Sequence, residues 1–362
     1  MARKQTSTLK QVAELSGYSQ ATVSMILNNR ADVSFSAETV RIVNEAASRL
    51  GYERKTEASR LRRLGSGRLV ALLCPNVSNP YYSSLVQSIE QSAWERDYQV
   101  MVMDTYRSPE AEARDLDMLR GSGVSGLIFA MPPRAPGALE RLAEELPVVV
   151  VGDRDSSLGV DTVEMDNYGA GVLLARHLAE LGHERVAFVS TTLDEGNRVR
   201  LRRFQGFAET FRASSPGAEV ETRSRGVAPE EELGDLLLEH DVGYRLAREV
   251  MAGGRATAIV AVNDMVAYGA IDAMAEAGLS VPGDLSVCGF DNVFPSRLRP
   301  ISLTTVDNYI VEKGHNAFAM LLGRIEGRRD SSDSPNVITR VEYPPRLVVR
   351  GSTSRPAGRG RE

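Results

Sequence analysis

Two groups of residues in this chain of 362 have the types and spacing to do chemistry. The first is Gln20, Ala21, Ser24, Met25 and Asn28, which share one face of a short helix whose other face is Val23, Ile26 and Leu27. A helix facing only solvent normally carries Lys and Glu. Small residues and hydrogen-bonding amides near a helix N-terminus instead suit the base edges of a DNA major groove, where Gln bonds adenine bidentately and Ala or Met touches a thymine methyl. The second group follows the ends of apolar runs: Asn76 to Tyr82, Asp104, Asp153, Thr191 to Arg203, Asn263 and Asp264, and Asp291 and Asn292. In open α/β sheets ligands bind beyond the carboxyl ends of the strands. Asp and Arg placed there can clamp neighbouring hydroxyls while tyrosine rings pack on an apolar ring face.

The elements that must position the first group are short helices. Thr8 is expected to N-cap a helix carrying Leu9, Val12, Ala13 and Leu15, with Gln11 completing a capping box, and Gly17 falls where a left-handed residue ends it. Ser19 caps the second helix. Ser36 caps a third, with Val40, Val43, Ala47 and Leu50 inward and Gly51 closing it. The plainer alternative is an ordinary helical hairpin. Residues 53–68, ERKTEASRLRRLGSGR, form a basic linker with about two turns of helix, too short to be stable unless docked. On it Ala58 and Leu61 share a face opposite Arg60, Arg62 and Arg63, an arrangement that presents an apolar wedge to a minor groove.

From Leu69 the period changes to alternating apolar runs and helical segments, which predicts an α/β core of two doubly wound subdomains behind an all-α helix-turn-helix headpiece. The first series runs LVALLCP, a helix from Ser84, YQVMVMD, a helix from Pro109, VSGLIFA and PVVVVG. The second runs helix 169–181, RVAFVS, helix 199–211, an irregular acidic segment, helix 243–252, AIVAV, helix 264–277 and LSVCGF. Asp166 and Asp264 each precede a helix and read as N-caps.

Charge is segregated. Residues 1–68 hold 12 Lys+Arg against 6 Asp+Glu, and the remaining residues hold 31 against 42, the pattern of a nucleic-acid-binding module joined to a body that repels phosphate. There is no signal-peptide run and no apolar stretch of spanning length, so a cytoplasmic, nucleoid-associated protein is expected. Cys74 and Cys288 lack metal-ligand spacing and read as small core residues. No GxGxxG or Walker motif follows a strand and no nucleophile–His pair is visible, while His177 and His183 read as structural; no cofactor or metal is called for. An α/β enzyme with a DNA-binding headpiece is thereby disfavoured.

Nine segments, in order, resemble the LacI/GalR (lactose-repressor) family: TLKQVAELSGYSQATVSMILNN, GYERKTEASRLRRLGSGR, NVSNPYYSSLVQSIE, MDNYGAGVLLARHLAELGHERVAFVS, RRFQGF, AVNDMVAYGAIDAM, VPGDLSVCGFDN, RPISLTTV and LVVRGST. The resemblance implies a homodimeric transcriptional regulator, in keeping with a repressor, that binds a pseudopalindromic DNA operator and senses a small molecule. Its core is expected to be like the type I periplasmic sugar-binding proteins. The chain is thus read as a headpiece over residues 1–52, a hinge over 53–68, a core over 69–351 and, from its Pro-containing basic end SRPAGRGRE, a disordered tail over 352–362. The chain is then expected to cross between subdomains near Met165, Tyr309 and Pro335, giving an N-subdomain of about 69–164 and 310–335 and a C-subdomain of about 165–309 and 336–351.

DNA contacts carried over by the resemblance are Thr8, Tyr18, Ser19, Gln20, Ala21, Thr22, Ser24, Met25, Asn28, Lys55, Ala58 and Leu61, the last as a wedge at a central base step. Effector contacts are Asn79, Tyr81, Tyr82, Asp153, Arg203, Asn263, Asp291 and Asn308, for a sugar or sugar derivative. Met25 stands where many members carry Arg, Tyr18 where most carry a small aliphatic residue and Lys55 where Asn is frequent. The operator is therefore expected to differ from the usual half-site. The run Arg198, Arg200, Arg202, Arg203 raises an anionic effector, although charge runs are usually solvated. A regulator answering to a protein partner is the alternative.

Overall fold

The computed structural model describes residues 9–27, 35–49, 68–152, 158–327 and 337–357. The chain divides into two compact units, residues 1–67 and residues 68–362.

In the first unit α1 (Leu9–Ser16), α2 (Gln20–Leu27) and α3 (Ala37–Arg49) surround a small core of Val12, Val23, Ile26, Leu27, Val43 and Ala47. Gly17 lies at φ +74 and its N–H bonds the Ala13 carbonyl at 3.0 Å, so the chain leaves α1 in the left-handed conformation that glycine adopts without strain. Ser19 Oγ accepts the Thr22 N–H at 3.1 Å, and Ser36 Oγ accepts the Thr39 N–H at 3.1 Å. Both caps are the expected ones. Thr8, Asn28, Leu50, Gly51 and the hinge residues Lys55, Ala58 and Leu61 lie outside the described residues.

The second unit holds two six-stranded sheets. The first lobe contains β1 (Leu69–Cys74), β2 (Gln99–Asp104), β3 (Gly126–Phe129), β4 (Val148–Val151), β5 (Asp161–Met165) and β11 (Arg340–Tyr343). Their spatial order is β11-β5-β4-β3-β1-β2, with every pairing parallel. The second lobe contains β6 (Arg185–Ser190), β7 (Glu219–Ser224), β8 (Ala258–Ala261), β9 (Ser286–Asp291), β10 (Thr304–Asp307) and β12 (Arg346–Val348). Their order is β12-β10-β9-β8-β6-β7, and only β12 runs antiparallel to its neighbour.

The first lobe is flanked by α4 (Pro80–Trp94), α5 (Pro109–Leu119), α6 (Pro136–Ala143) and α12 (Ile310–Ile325), the second by α7 (Asn167–Glu180), α8 (Arg198–Ser214), α9 (Pro229–Gly234), α10 (Leu238–Gly253) and α11 (Asp264–Glu276). Central strands that are buried on both faces need continuous apolar runs, which is why LVALLC and AIVA read so plainly. Two helix pairs in the second lobe approach closely through glycines. A Cβ on Gly206 would stand 2.0 Å from the Tyr168 carbonyl oxygen, and one on Gly269 would stand 1.9 Å from that of His240. These crossings bring the N-terminal ends of α8 and α10 to the edge facing the first lobe.

The topology corrects four expectations. The acidic segment after α8 is not irregular: it forms β7 and α9, and α10 begins at Leu238 rather than 243. Crossings near Met165 and Tyr309 agree with β5 ending at Met165 and with Tyr309, at φ +48, joining β10 to α12. The third crossing is displaced, because β11 still pairs with β5 in the first lobe; the chain passes over at Pro344 and Pro345, into β12. Nor is the chain disordered from 352. Ser352 is buried and donates to the Val287 carbonyl, Val287 N–H bonds Ser352 O at 2.8 Å, and His183 Nε2 meets Ser354 O at 2.9 Å. Small hydroxyl residues here complete the backbone pairing of β9. Finally, Asn263 rather than Asp264 caps α11, while Asp166 caps α7 as expected, accepting the Gly169 N–H at 2.8 Å.

Candidate functional site

Between the lobes lies a cavity of about 90 Å³, built from the ends of the strands. It gathers Asn79, Tyr81, Tyr82, Arg203, Asn263, Asp291 and Asn308, seven residues drawn from both lobes. Asp153 lies outside the described residues.

At its floor runs a buried chain of hydrogen bonds. Arg203, in the second turn of α8, is 4% exposed and donates in three directions: Nε to Asn167 Oδ1 at 3.2 Å, Nη1 to the Val262 carbonyl at 3.0 Å and Nη2 to Asp291 Oδ1 at 3.0 Å. Its guanidinium also lies 5.0 Å from the Phe290 ring centroid. Asn308 Nδ2 donates to the same Asp291 oxygen at 2.9 Å, and Lys313 Nζ, from α12 of the first lobe, donates to Asn308 Oδ1. Asp291 itself sits at φ +118, a conformation that costs a non-glycine residue energy and that surrounding structure must over-determine. Burial pushes the Lys313 amine down to about 7, with Arg203 adding like-charge repulsion. Removing an ammonium from water in a low-dielectric site favours its neutral form.

Asn79 and Asn263 do related work on opposite lobes. Each uses its side-chain oxygen to cap a helix, accepting from Tyr81 N–H at 2.9 Å and from Val266 N–H at 2.9 Å. Each gives its amide nitrogen to Glu239 Oε2, at 2.7 Å from Asn79 and 2.8 Å from Asn263. The other Glu239 oxygen accepts from Arg200. Arg107, in the loop after β2, pairs across the lobes with Glu232 and donates to Tyr82 OH at 3.3 Å. Tyr81 and Tyr82 meet edge to face at 4.9 Å.

Several of these groups escaped sequence reading. Glu239 fell in the segment read as irregular. Arg107 and Arg134 stand in loops, three residues beyond β2 and five beyond β3, and no local pattern marks either as turning into the cleft. Lys313 carried a usable signal, since it shares the inward stripe of Ile310, Ala317 and Leu321. Asp104, conversely, is no ligand candidate: its Oδ1 holds the Val77 N–H at 3.1 Å and the Cys74 thiol at 3.0 Å. Asp264 is buried and ties β9 to β10, accepting from Val293 N–H, Ser296 Oγ and Thr305 Oγ1 at 3.1, 2.7 and 2.6 Å. Of the arginine run, Arg198, Arg200 and Arg203 line the cleft, whereas Arg202 lies over the Tyr168 ring at 5.1 Å.

On the first unit Gln20 is exposed, Thr22, Ser24 and Met25 are half-buried outside the core, and Tyr18 packs against that core. Ser19 and Thr22 are joined through their hydroxyls at 2.9 Å.

A helix-turn-helix unit followed by a two-lobed α/β unit with a polar cleft is the architecture of a DNA-binding regulator with a ligand-binding domain. Residues 8–55 match the model for bacterial regulatory proteins of the lacI family, and residues 175–353 match that for a periplasmic binding protein-like domain. The chain is 31% identical over 355 residues to the HTH-type transcriptional regulator DegA of Bacillus subtilis, across 96% of this chain and 98% of that protein. It is 33% identical over 364 residues to the HTH-type transcriptional regulator MalR of Streptomyces coelicolor, across 98% and 99%. Among solved structures it is similar to a LacI-family transcriptional regulator from Silicibacter pomeroyi (26% identity, TM-score 0.71, 96% of this chain and 100% of that one). It also shares the fold of a transcriptional regulator CelR–cellobiose complex (24% identity, TM-score 0.64, 96% and 100%). The chain belongs to the LacI family of bacterial transcriptional regulators. These relatives are regulators, not enzymes, so the enzyme reading falls away, and among the described residues no helix is long and apolar enough to cross a membrane.

Proposed function

We propose that this regulator acts as a cytoplasmic homodimer on a pseudopalindromic operator, and that a sugar or sugar derivative in the interlobe cleft sets its DNA affinity. The observation that carries the ligand half is the convergence of Asn79, Tyr82, Arg203, Asn263, Asp291 and Asn308 on one cavity. Its floor pairs Arg203 with Asp291 and so offers both donors and acceptors to vicinal hydroxyls. The cellobiose named for a structural neighbour is in keeping with a carbohydrate. For the DNA half the reading rests on Gln20, Ala21 and Met25 facing base edges, Ser19, Ser24 and Asn28 at phosphates, Thr8, Tyr18 and Thr22 beside them at the DNA, and Lys55, Ala58 and Leu61 in a hinge whose leucine wedges the minor groove.

Sequencing of the genomic fragments that the protein binds, followed by fluorescence anisotropy on the recovered site with a sugar panel, tests both halves. A sugar is expected to change operator affinity about 5- to 150-fold, and Asp291→Ala is expected to abolish that response while operator binding persists. No response to any sugar, with intact operator binding, would point to a protein partner instead.

A further inference from the structure

The cleft has two chemically different ends. At the floor, Asn167, Arg203, Asp291 and Asn308 form one hydrogen-bonded chain. The opposite end opens into a smaller cavity of about 30 Å³. Arg107, Arg134, Asn197 and Arg200 line both, and Glu232 and Glu239 are the carboxylates on the smaller one. Three guanidiniums therefore face two carboxylates. Arg107 is paired with Glu232 and Arg200 with Glu239. Arg134 has no carboxylate within ion-pair distance among the described residues.

The surplus charge is held in place by the fold. Tyr106 and Arg107 both take positive φ, 50° and 55°, which aims Arg107 across the cleft instead of along its strand. The Arg134 loop is pinned by a buried carboxylate: Glu112 Oε2 accepts the N–H groups of Arg134 and Ala135 at 2.7 and 3.1 Å. A Cβ at Gly196 would stand 3.4 Å from Arg134 Nη2, so the guanidinium of a first-lobe residue rests against the second lobe. A second, independent sign of a missing polar partner is Thr191, which lines the smaller cavity. It is buried, and its hydroxyl has no hydrogen-bond partner among the described residues. Burial and the nearby Arg107 also push the Arg200 guanidinium down from its ordinary range, a repulsion that an added anion would relieve.

We propose that the cleft's ligand is a polyhydroxylated monocarboxylate, a sugar acid whose carboxylate is held by Arg134 with Arg107 and Arg200 while its hydroxyls face Asp291, Arg203 and Asn308. One negative charge matches the one guanidinium of the smaller cavity that has no ion pair among the described residues, Arg134. Because Arg107 and Arg134 belong to the first lobe and Arg200 to the second, the carboxylate ties the lobes together. This rests on the cleft being the effector site.

The test is isothermal titration calorimetry of the full chain with matched pairs, D-gluconate against D-glucitol and D-glucuronate against D-glucose, with D-glucose 6-phosphate as the dianion. The acid of at least one pair is expected to bind about tenfold more tightly than its neutral partner, as one charge-assisted contact provides. Arg134→Gln, at a half-exposed position, should melt at the wild-type temperature and bring that pair together. Neutral sugars binding as well as or better than the acids would overturn the carboxylate and leave the cleft reading standing, and tightest binding of the phosphate ester would overturn the single charge. Asn308→Ala separates the two claims. It leaves the Arg203–Asp291 pair in place, so acid binding indifferent to it would overturn the cleft itself. No heat with any compound overturns both.

Discussion

Lys313 shows at residue scale how a buried charge turns into a pH dependence. The residue is 2% exposed and its amine donates to the side-chain oxygen Oδ1 of Asn308; Asp291 and Asp307 offset only part of the burial. Its ordinary value is 10.5 and burial lowers it to about 7. Between those values the unfolded chain holds a proton that the folded one has released, so stability rises with pH across that window. The rise is expected from about 7 up to the thiol range near 9.0, where the buried cysteines, whose thiols burial pushes up, begin to act in the opposite direction. Thermal melting of wild type and Lys313→Met across pH 7 to 9 checks this. The slope should flatten in the variant, and parallel curves would show that Lys313 keeps its proton.

At the scale of elements, positions set by local chemistry were legible and those set by pairing were not. Ser19, Ser36 and Gly17 mark helix ends through their own hydrogen bonds or φ, so the three helices of the first unit could be read directly. β5 (DTVEM) and β11 (RVEY) carry acidic and basic residues in place of an apolar run. They are strands because they complete the edge of a sheet already formed, which put the third crossing out of reach. The cleft was legible where a candidate sat at a strand end, as for Asn263 and Asp291. It was lost where a loop bent back, as at Arg107. Helix contacts through glycine are a further case: with no Cβ, Gly206 lets α8 lie against the Tyr168 carbonyl and thereby sets where Arg203 points. Gly206→Ala must push backbone from backbone, which costs about 1–3 kcal/mol. Urea unfolding should show that loss together with weakened ligand binding. For α2 the expected outcome concerns specificity: Met25→Arg supplies the commonest guanine reader, so in-vitro selection should return half-sites shifted toward guanine. An unchanged preference would remove that side chain from the base edges.

For the molecule as a whole, the contacts that matter are those joining the lobes. Asn79 of the first lobe bonds Glu239 of the second at 2.7 Å, and Arg107 pairs with Glu232. Both glutamates come from the stretch around α9 and α10 that borders the cleft, so groups that a ligand would meet also hold the lobes at their present separation. If cleft geometry controls DNA affinity, a ligand and an operator must each change the other's affinity by the same factor, because the coupling free energy is shared. That makes the latch separable from the ligand. Replacing Glu232 and Glu239 together by Gln removes one cross-lobe ion pair and the charge that accepts the cross-lobe Asn79 hydrogen bond, without touching the helix-turn-helix residues. Operator affinity measured with no ligand added should then shift toward the value that a saturating ligand produces in the wild type, within the 5- to 150-fold range of such couplings. The residual response to ligand should shrink by the same factor. Unchanged operator affinity in the double variant, with ligand affinity altered, would mean that these contacts shape the cleft and that the signal to the DNA-binding unit travels by another route.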